Sequence, residues 1–400
     1  MQYEMKDSGV DWIGKVPEHW QLTDIGSLYT QRNERVSDKD YEPLSVTKKG
    51  ILPQLSTVAK TDDGDNRKLV KSGDFVINSR SDRRGSCGIS LCDGSVSLIN
   101  TVLSPRGKMY PGYFDWLFHT EAFADEFYKW GHGIVDDLWT TRWTEMKQIT
   151  IPIPEFMTQT EIAVYLDEKC SAIDEIIEEA KASIEEYKAW KSSVIFEAVT
   201  KGLNPNTEMK DSGVEWIGKV PKHWDVCKLK YLCSMQAGKN IPSELIQDNG
   251  EYPVYGGNGL RGYYSNFNME QDCILVGRQG ALCGNVHIVS GKYWATEHAV
   301  ITQVTNVENL QHLYYLLKGM NLNQYASDAA AQPGLAVGAV KDLYVPLTPK
   351  AEQKSIVAYL DEKCSTIDGI IAEKEALIAD MEAYKKSLIF ETVTGKRKVC

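Results

Sequence analysis

Arginine, lysine, asparagine and glutamine recur in loops placed just after short apolar runs. Arg80, Arg83 and Arg84 belong to Arg80-Ser81-Asp82-Arg83-Arg84-Gly85, which follows the β-like run Asp74-Phe75-Val76-Ile77-Asn78. Guanidinium groups grip phosphates and pair with guanine edges, so a glycine-ended arginine loop suits nucleic acid. Arg142 sits between Trp139 and Trp143. Farther along, Asn258 and Arg261 lie in the glycine-rich Tyr255-Gly256-Gly257-Asn258-Gly259-Leu260-Arg261-Gly262-Tyr263. Arg278 and Gln279 follow the run Cys273-Ile274-Leu275-Val276-Gly277, as the arginine loop follows its own strand. Lys48, Lys49 and Lys239 complete the candidate DNA-contact set. Taken alone, the residues favour ordinary surface loops whose arginines pair with nearby acids.

Catalytic patterns are missing from the sequence. Gly256-Gly257-Asn258-Gly259 and Gly277-x-x-Gly280 lack the lysine and Ser/Thr of a phosphate loop, and neither completes a dinucleotide fingerprint. No nucleophile elbow or metal-spaced His/Glu cluster occurs, and Asn204-Pro205-Asn206 lacks the proline-aromatic pair of an amino-methyltransferase. The nine cysteines show no Cys-x-x-Cys spacing, which fits reduced thiols and a cytoplasmic protein. No apolar run reaches the ~18 residues of a membrane span, and no signal-peptide h-region opens the chain.

The elements that must position these loops are written in an internal repeat. Met5–Trp20 (MKDSGVDWIGKVPEHW) and Met209–Trp224 (MKDSGVEWIGKVPKHW) are identical at 14 of 16 positions. Tyr165–Thr200 matches Tyr359–Thr394 without gaps at 22 of 36 positions. Residues 21–150 and 225–344, which lie between, resemble each other little. Two copies of one scaffold therefore carry two different heads. His19 and His223 recur with the scaffold, which favours packing or capping over catalysis.

The second repeated block reads as helix. Ile173, Ile177, Ala180, Ile184, Tyr187, Val194 and Ala198 follow a/d spacing, with Lys191 interrupting the stripe, and Ile367, Ile371, Ile378, Met381 and Leu388 repeat it. Thr158 with Glu161 predicts a capping box at the first start, and Thr348-Pro349 predicts an N-cap at the second. Gly202 and Pro205 end the first helix, and Gly395 ends the second. At 1.5 Å per residue each helix is ~60 Å long, more than one head can cover, which predicts mutual antiparallel packing. The C-terminus then returns to the N-terminal repeat block and the molecule is nearly circular. In the heads, aromatic-rich helices are predicted from Tyr113 to Trp130 and from Leu310 to Tyr325.

The expected fold class is α+β: two mixed α/β heads separated by two long antiparallel helices in a pseudo-two-fold coiled coil. The divisions fall at residues 1–154 (first head), 155–204 (first helix), 205–347 (second head) and 348–400 (second helix). The formal net charge of −11 argues against binding DNA by bulk electrostatics alone. The deficit is local: residues 155–200 hold 4 Lys/Arg against 11 Asp/Glu, while both heads are close to neutral.

The MKDSGVxWIGKVPxHW block, the helix entry Ala351-Glu352-Gln353-Lys354-Ser355-Ile356-Val357-Ala358-Tyr359-Leu360-Asp361 and the exit Leu388–Lys396 resemble type I restriction–modification specificity subunits. Gly73–Asn78 and the Gly256–Gly259 and Gly277–Gly280 loops are similar to that family too. The first copy departs from it with Met157-Thr158-Gln159-Thr160-Glu161 at the helix entry. The resemblance implies a non-catalytic subunit that binds a split double-stranded DNA target, one target recognition domain per half. It implies two modification subunits that methylate adenine with S-adenosylmethionine. In full enzymes two restriction subunits join, with ATP and Mg bound by the partners and no cofactor bound by this chain. Two other classes stay open on the residues alone: a recognition domain fused to an unrecognised modification or nuclease site, and a two-headed scaffold for proteins or glycans.

Overall fold

A computed structural model describes residues 3–54, 64–80, 83–133, 139–280, 282–305, 309–327 and 334–399. The chain divides into two compact units, Met1–Ala180 with Ala376–Cys400, and Lys181–Glu375. Each holds one head, one copy of the repeated opening block and a portion of both long helices. Mixed helix and sheet, with long helices, agree with the expected α+β class.

In the first unit the opening block pairs Met5–Asp7 with Lys15–Pro17, antiparallel. Asp7 Oδ1 accepts from Gly9 N at 2.9 Å and fixes the intervening turn. Ile13, Val16 and Trp20 point into the core. The head is closed by its own ends, because Gln21–Asp24 pairs antiparallel with Thr150–Ile153. Its main sheet has four strands in the order Cys87–Ile89, Phe75–Asn78, Asn100–Pro105, Tyr29–Gln31. Phe75, Phe114, Phe118 and Phe123 bury completely behind this sheet, each contributing about 1.5–3 kcal/mol of transfer free energy.

The predicted helix over Tyr113–Trp130 is two helices, Pro111–Phe118 and Glu121–Lys129. Thr120 breaks it: its hydroxyl accepts from Phe123 N at 3.2 Å and starts a new helix. The aromatic pattern runs through the break because both helices face one core.

The second unit repeats this plan with different side chains. Met209–Asp211 pairs with Lys219–Pro221, and Asp225–Lys228 pairs with Tyr344–Leu347. Its four-stranded sheet runs Val286–Val289, Cys273–Gly277, Ala299–Val304, Cys233–Ala237, the same topology as in the first head. The predicted helix Leu310–Tyr325 is an α-helix over Leu310–Gly319 and a 3-10 turn over Leu322–Tyr325. Asn321 separates them in the left-handed region, at φ 46°, a conformation asparagine tolerates better than most residues.

The long helices span Phe156–Lys201 and Lys350–Val393. Ile173, Ile177, Ala180 and Ile184 are buried as the spacing predicts. The helices run antiparallel within each unit. In the first, Tyr165 meets Arg397 and Asp174 meets Lys385; in the second, Tyr187 meets Lys374 and Lys191 meets Asp368. Lys191, which interrupts the apolar stripe, lies 2.6 Å from Asp368, and the equivalent Lys385 lies 2.6 Å from Asp174.

Both predicted caps are corrected. The first helix begins at Phe156, so Thr158 already lies in its first turn and caps nothing. The Thr348 hydroxyl is buried without a hydrogen-bond partner among the described residues. Gln159 and Gln353 hold the two starts instead. Their amides donate to Pro154 O and Thr348 O, and their carbonyls accept from Tyr110 N and Asn309 N.

Each helix ends on a scaffold tryptophan. Gly202 and Gly395 both adopt φ 72°; Gly202 packs against Trp224, and Gly395 against Pro17 and Trp20. Lys396 Nζ donates to Ile13 O at 2.7 Å, so the C-terminal segment meets the N-terminal block as expected.

Candidate nucleic-acid interface

In each head one group of candidates, Arg80, Arg83 and Arg84 in the first and Arg278 and Gln279 in the second, follows the equivalent strand of the four-stranded sheet. Strand Phe75–Asn78 delivers the chain into the arginine loop before it returns as Cys87–Ile89. The strand is anchored by Asp74, which is buried and accepts from Arg32 Nε at 2.7 Å and from Lys71 N at 2.8 Å. The hydrogen bond from Arg32 to Asp74 holds that guanidinium's pKa above its ordinary value, outweighing partial burial. Asn78 Oδ1 then accepts from Arg80 N at 3.1 Å and sets the start of the loop.

The three arginines are used differently. Arg84 pairs with Asp125 and stands over the Tyr128 ring, 5.1 Å from its centre; Tyr128 stacks on Trp139. Arg80 is exposed and pairs through its backbone with Thr140; its guanidinium has no partner among the described residues. Arg80, Arg84, Tyr128 and Trp139 line one small cavity. Arg83 is exposed, with its backbone bonded to Arg80 and Ser86. Arg142 starts the short helix Trp143–Met146, its N–H donating to Glu145 Oε2 at 3.1 Å. Lys48 and Lys49 form the exposed tip of the hairpin Leu44–Thr47/Gly50–Pro53. A Cβ on Gly88 would come within 2.9 Å of Gly50 Cα, so the hairpin lies over the strand that leaves the arginine loop.

In the second head the two glycine loops come together. A Cβ on Gly257 would lie 2.9 Å from His298 O, and one on Gly277 would collide with Gly257 O. Both positions need glycine so that the hairpin tip can rest on the strand end. An open cleft of about 410 Å³ results, lined by Asn258, Leu260, Arg261, Gln279 and His298 with two of the glycines. Arg278 N donates to His298 O at 2.8 Å, and Arg278 is not among the residues that line this cleft. Lys239 is exposed at a separate edge, where its carbonyl accepts from Trp294 Nε1 at 3.1 Å. Sequence reading missed His298, Tyr128 and Asp125. Of these, only Tyr128 carried a signal, its place in the aromatic helix.

Among the described residues no group of His, Cys, Asp and Glu could hold a metal ion. No helix there is long and apolar enough to cross a membrane. Eight described cysteines are free thiols.

Comparison with known proteins gives a consistent set of matches. The model of the "type I restriction modification DNA specificity domain" matches residues 221–378. The EcoprrI specificity subunit of Escherichia coli is 41% identical over 146 residues, covering 36% of this chain and 36% of the relative. The chain therefore spans about a third of that relative in the match. The MjaVIII specificity subunit of Methanocaldococcus jannaschii is 25% identical, covering 100% of this chain and 98% of its own. A solved chain from a type I R-M system superposes with a TM-score of 0.73 at 12% identity, covering 96% of this chain and 99% of that one. The HsdS subunit from Thermoanaerobacter tengcongensis superposes with a TM-score of 0.54 at 14% identity, covering 98% and 100%.

Proposed function

We propose that this chain, which is similar to type I restriction–modification specificity subunits, reads a split DNA sequence for partner subunits. One observation carries the reading. Two heads share a sheet topology and a loop-bearing corner, yet present Arg80 and Arg83 on one and Asn258, Arg261 and Gln279 on the other. Conserved framing with different exposed donors is what two separate half-sites require.

In this reading the chain performs no chemistry. Two modification subunits bind S-adenosylmethionine and accept an adenine flipped out of the stack, since a base inside the duplex is out of reach. Two restriction subunits, with ATP and Mg, complete a cleaving enzyme. The long helices form a coiled-coil spacer, related by a pseudo-two-fold, whose length sets the gap between half-sites. With a net charge of −11, the partners supply much of the phosphate grip.

The test is methylation of a target library by the purified chain, by the modification subunit, and by both together. Sequence-specific adenine methylation appears only in the mixture. Methylation by the chain alone overturns the proposal.

A further inference from the structure

We propose that the cleft of the second head recognises guanine through its major-groove edge, an inference that rests on the DNA-reading function above. The reason is the polarity of the groups left over once the internal hydrogen bonds are counted. Asn258 Oδ1 is occupied, accepting from Asn285 Nδ2 at 3.0 Å. The Gln279 amide is held by His298, with Oε1 and Nδ1 2.9 Å apart. No carboxylate is among the described residues that line the cleft, and Glu297 lies 3.1 Å from His298 Nε2. Asn258 Nδ2, Gln279 Nε2 and the Arg261 guanidinium have no partner among the described residues, and all three residues are exposed.

The Arg261 guanidinium and Asn258 Nδ2 therefore offer donors to the cleft, with the Gln279 amide lining it beside them. Guanine is the base whose major-groove edge offers two acceptors, N7 and O6, whereas cytosine offers a donor and adenine one of each. The walls are also built to hold their shape. The Arg261 stem crosses Gly256 so closely that a Cβ there would lie 2.6 Å from Arg261 Cδ, and Gly257 sits on the His298 carbonyl. An asparagine and a glutamine each held by a neighbour present polar groups of fixed position, while a mobile side chain would not discriminate between bases. Phosphate oxygens are acceptors as well, so a backbone grip is the competing source of the same chemistry.

The experiment uses the chain assembled with its modification subunits and measures methylation rates across a randomised target library. The half-site belonging to the second head is the half that persists when residues 21–150 are exchanged. Wild type is expected to require guanine at a position in that half. Gln279→Glu keeps one oxygen on His298 and turns an acceptor outward, so the guanine preference falls on the order of tenfold to a hundredfold and cytosine gains. Arg261→Gln, an exposed change that leaves the internal hydrogen bonds in place, weakens guanine discrimination in the same half. In both variants the other half is read as before.

A guanine requirement that survives both substitutions overturns the proposal. Equal loss of rate on all targets also overturns it, and assigns the cleft to phosphate. Sequence-independent behaviour of the wild-type complex would instead defeat the DNA-reading function itself.

Discussion

Arg80 and Arg84 lie four residues apart in one loop, and the structure gives them opposite roles. Arg84 is committed to Asp125 and Tyr128, so Arg84→Ala should act through the loop's shape, and Asp125→Ala should reproduce its effect. Arg80→Ala should weaken or relax recognition of the first half-site by ~1–3 kcal/mol if the side chain reads a base. Methylation rates on single-base variants of the target check both, and matched behaviour of Arg80→Ala and Asp125→Ala would place Arg80 in the scaffold too. The sequence showed three similar arginines; their division of labour depends on Asp125 and Tyr128, which approach from a different helix. Another residue-scale effect is pH-dependent. Burial pushes the Cys170 thiol up to about 11, from an ordinary value of 9.0, with Asp174 and Asp167 adding to the rise and Lys385 opposing it. The folded state therefore keeps a proton that the unfolded chain loses first. The associated stability is complete below pH 9 and is lost as pH rises toward 11, at up to about 1.4 kcal/mol per unit. Cys170→Ala should flatten that part of the stability profile in denaturant titrations, and an unchanged slope would contradict it.

Glycines at the level of the helices separate constraint from accident. Gly395 sits at φ 72° against Pro17 and Trp20, so Gly395→Ala should destabilise by more than ~1 kcal/mol through strain and collision together. Gly369 lies mid-helix with nothing within 4 Å of an added Cβ. Gly369→Ala should stabilise by up to ~1 kcal/mol. Thermal unfolding of the two variants compares them directly. The helices themselves were legible because a stripe sustained from Ile173 to Ala198, and repeated from Ile367 to Leu388, has few alternative explanations. Their starts were not, since Thr158 and Thr348 carry the residue types of caps while Gln159 and Gln353 bind the flanking chain. The head helices were over-extended for a related reason: Thr120 and Asn321 interrupt the backbone without interrupting the apolar pattern. If the paired helices set the half-site gap, removing residues 177–183 and 371–377 together preserves the seam and shortens the spacer by ~10 Å, or ~3 base pairs. A library with spacers varied one base pair at a time should show the preferred gap shrinking. A folded variant that keeps the original spacer would show that the helices do not set it.

For the molecule as a whole, the repeat pattern was the most informative signal, because near-identity in some blocks beside divergence in others separates frame from contact surface. What it could not supply was the likeness of the two heads in three dimensions. Their four-stranded sheets share an order that the divergent residues conceal, since buried strands tolerate many apolar substitutions as long as volume and pattern persist. Because each head closes on itself through its first and last strands, it should be exchangeable as a block. The most direct test replaces residues 21–150 with the corresponding head of a type I specificity subunit and sequences the methylated adenines in cells that also carry a modification subunit. One half of the target should change while the other half stays as it was. Simultaneous change in both halves, with the chimera folded and assembled, would contradict independent reading by two heads.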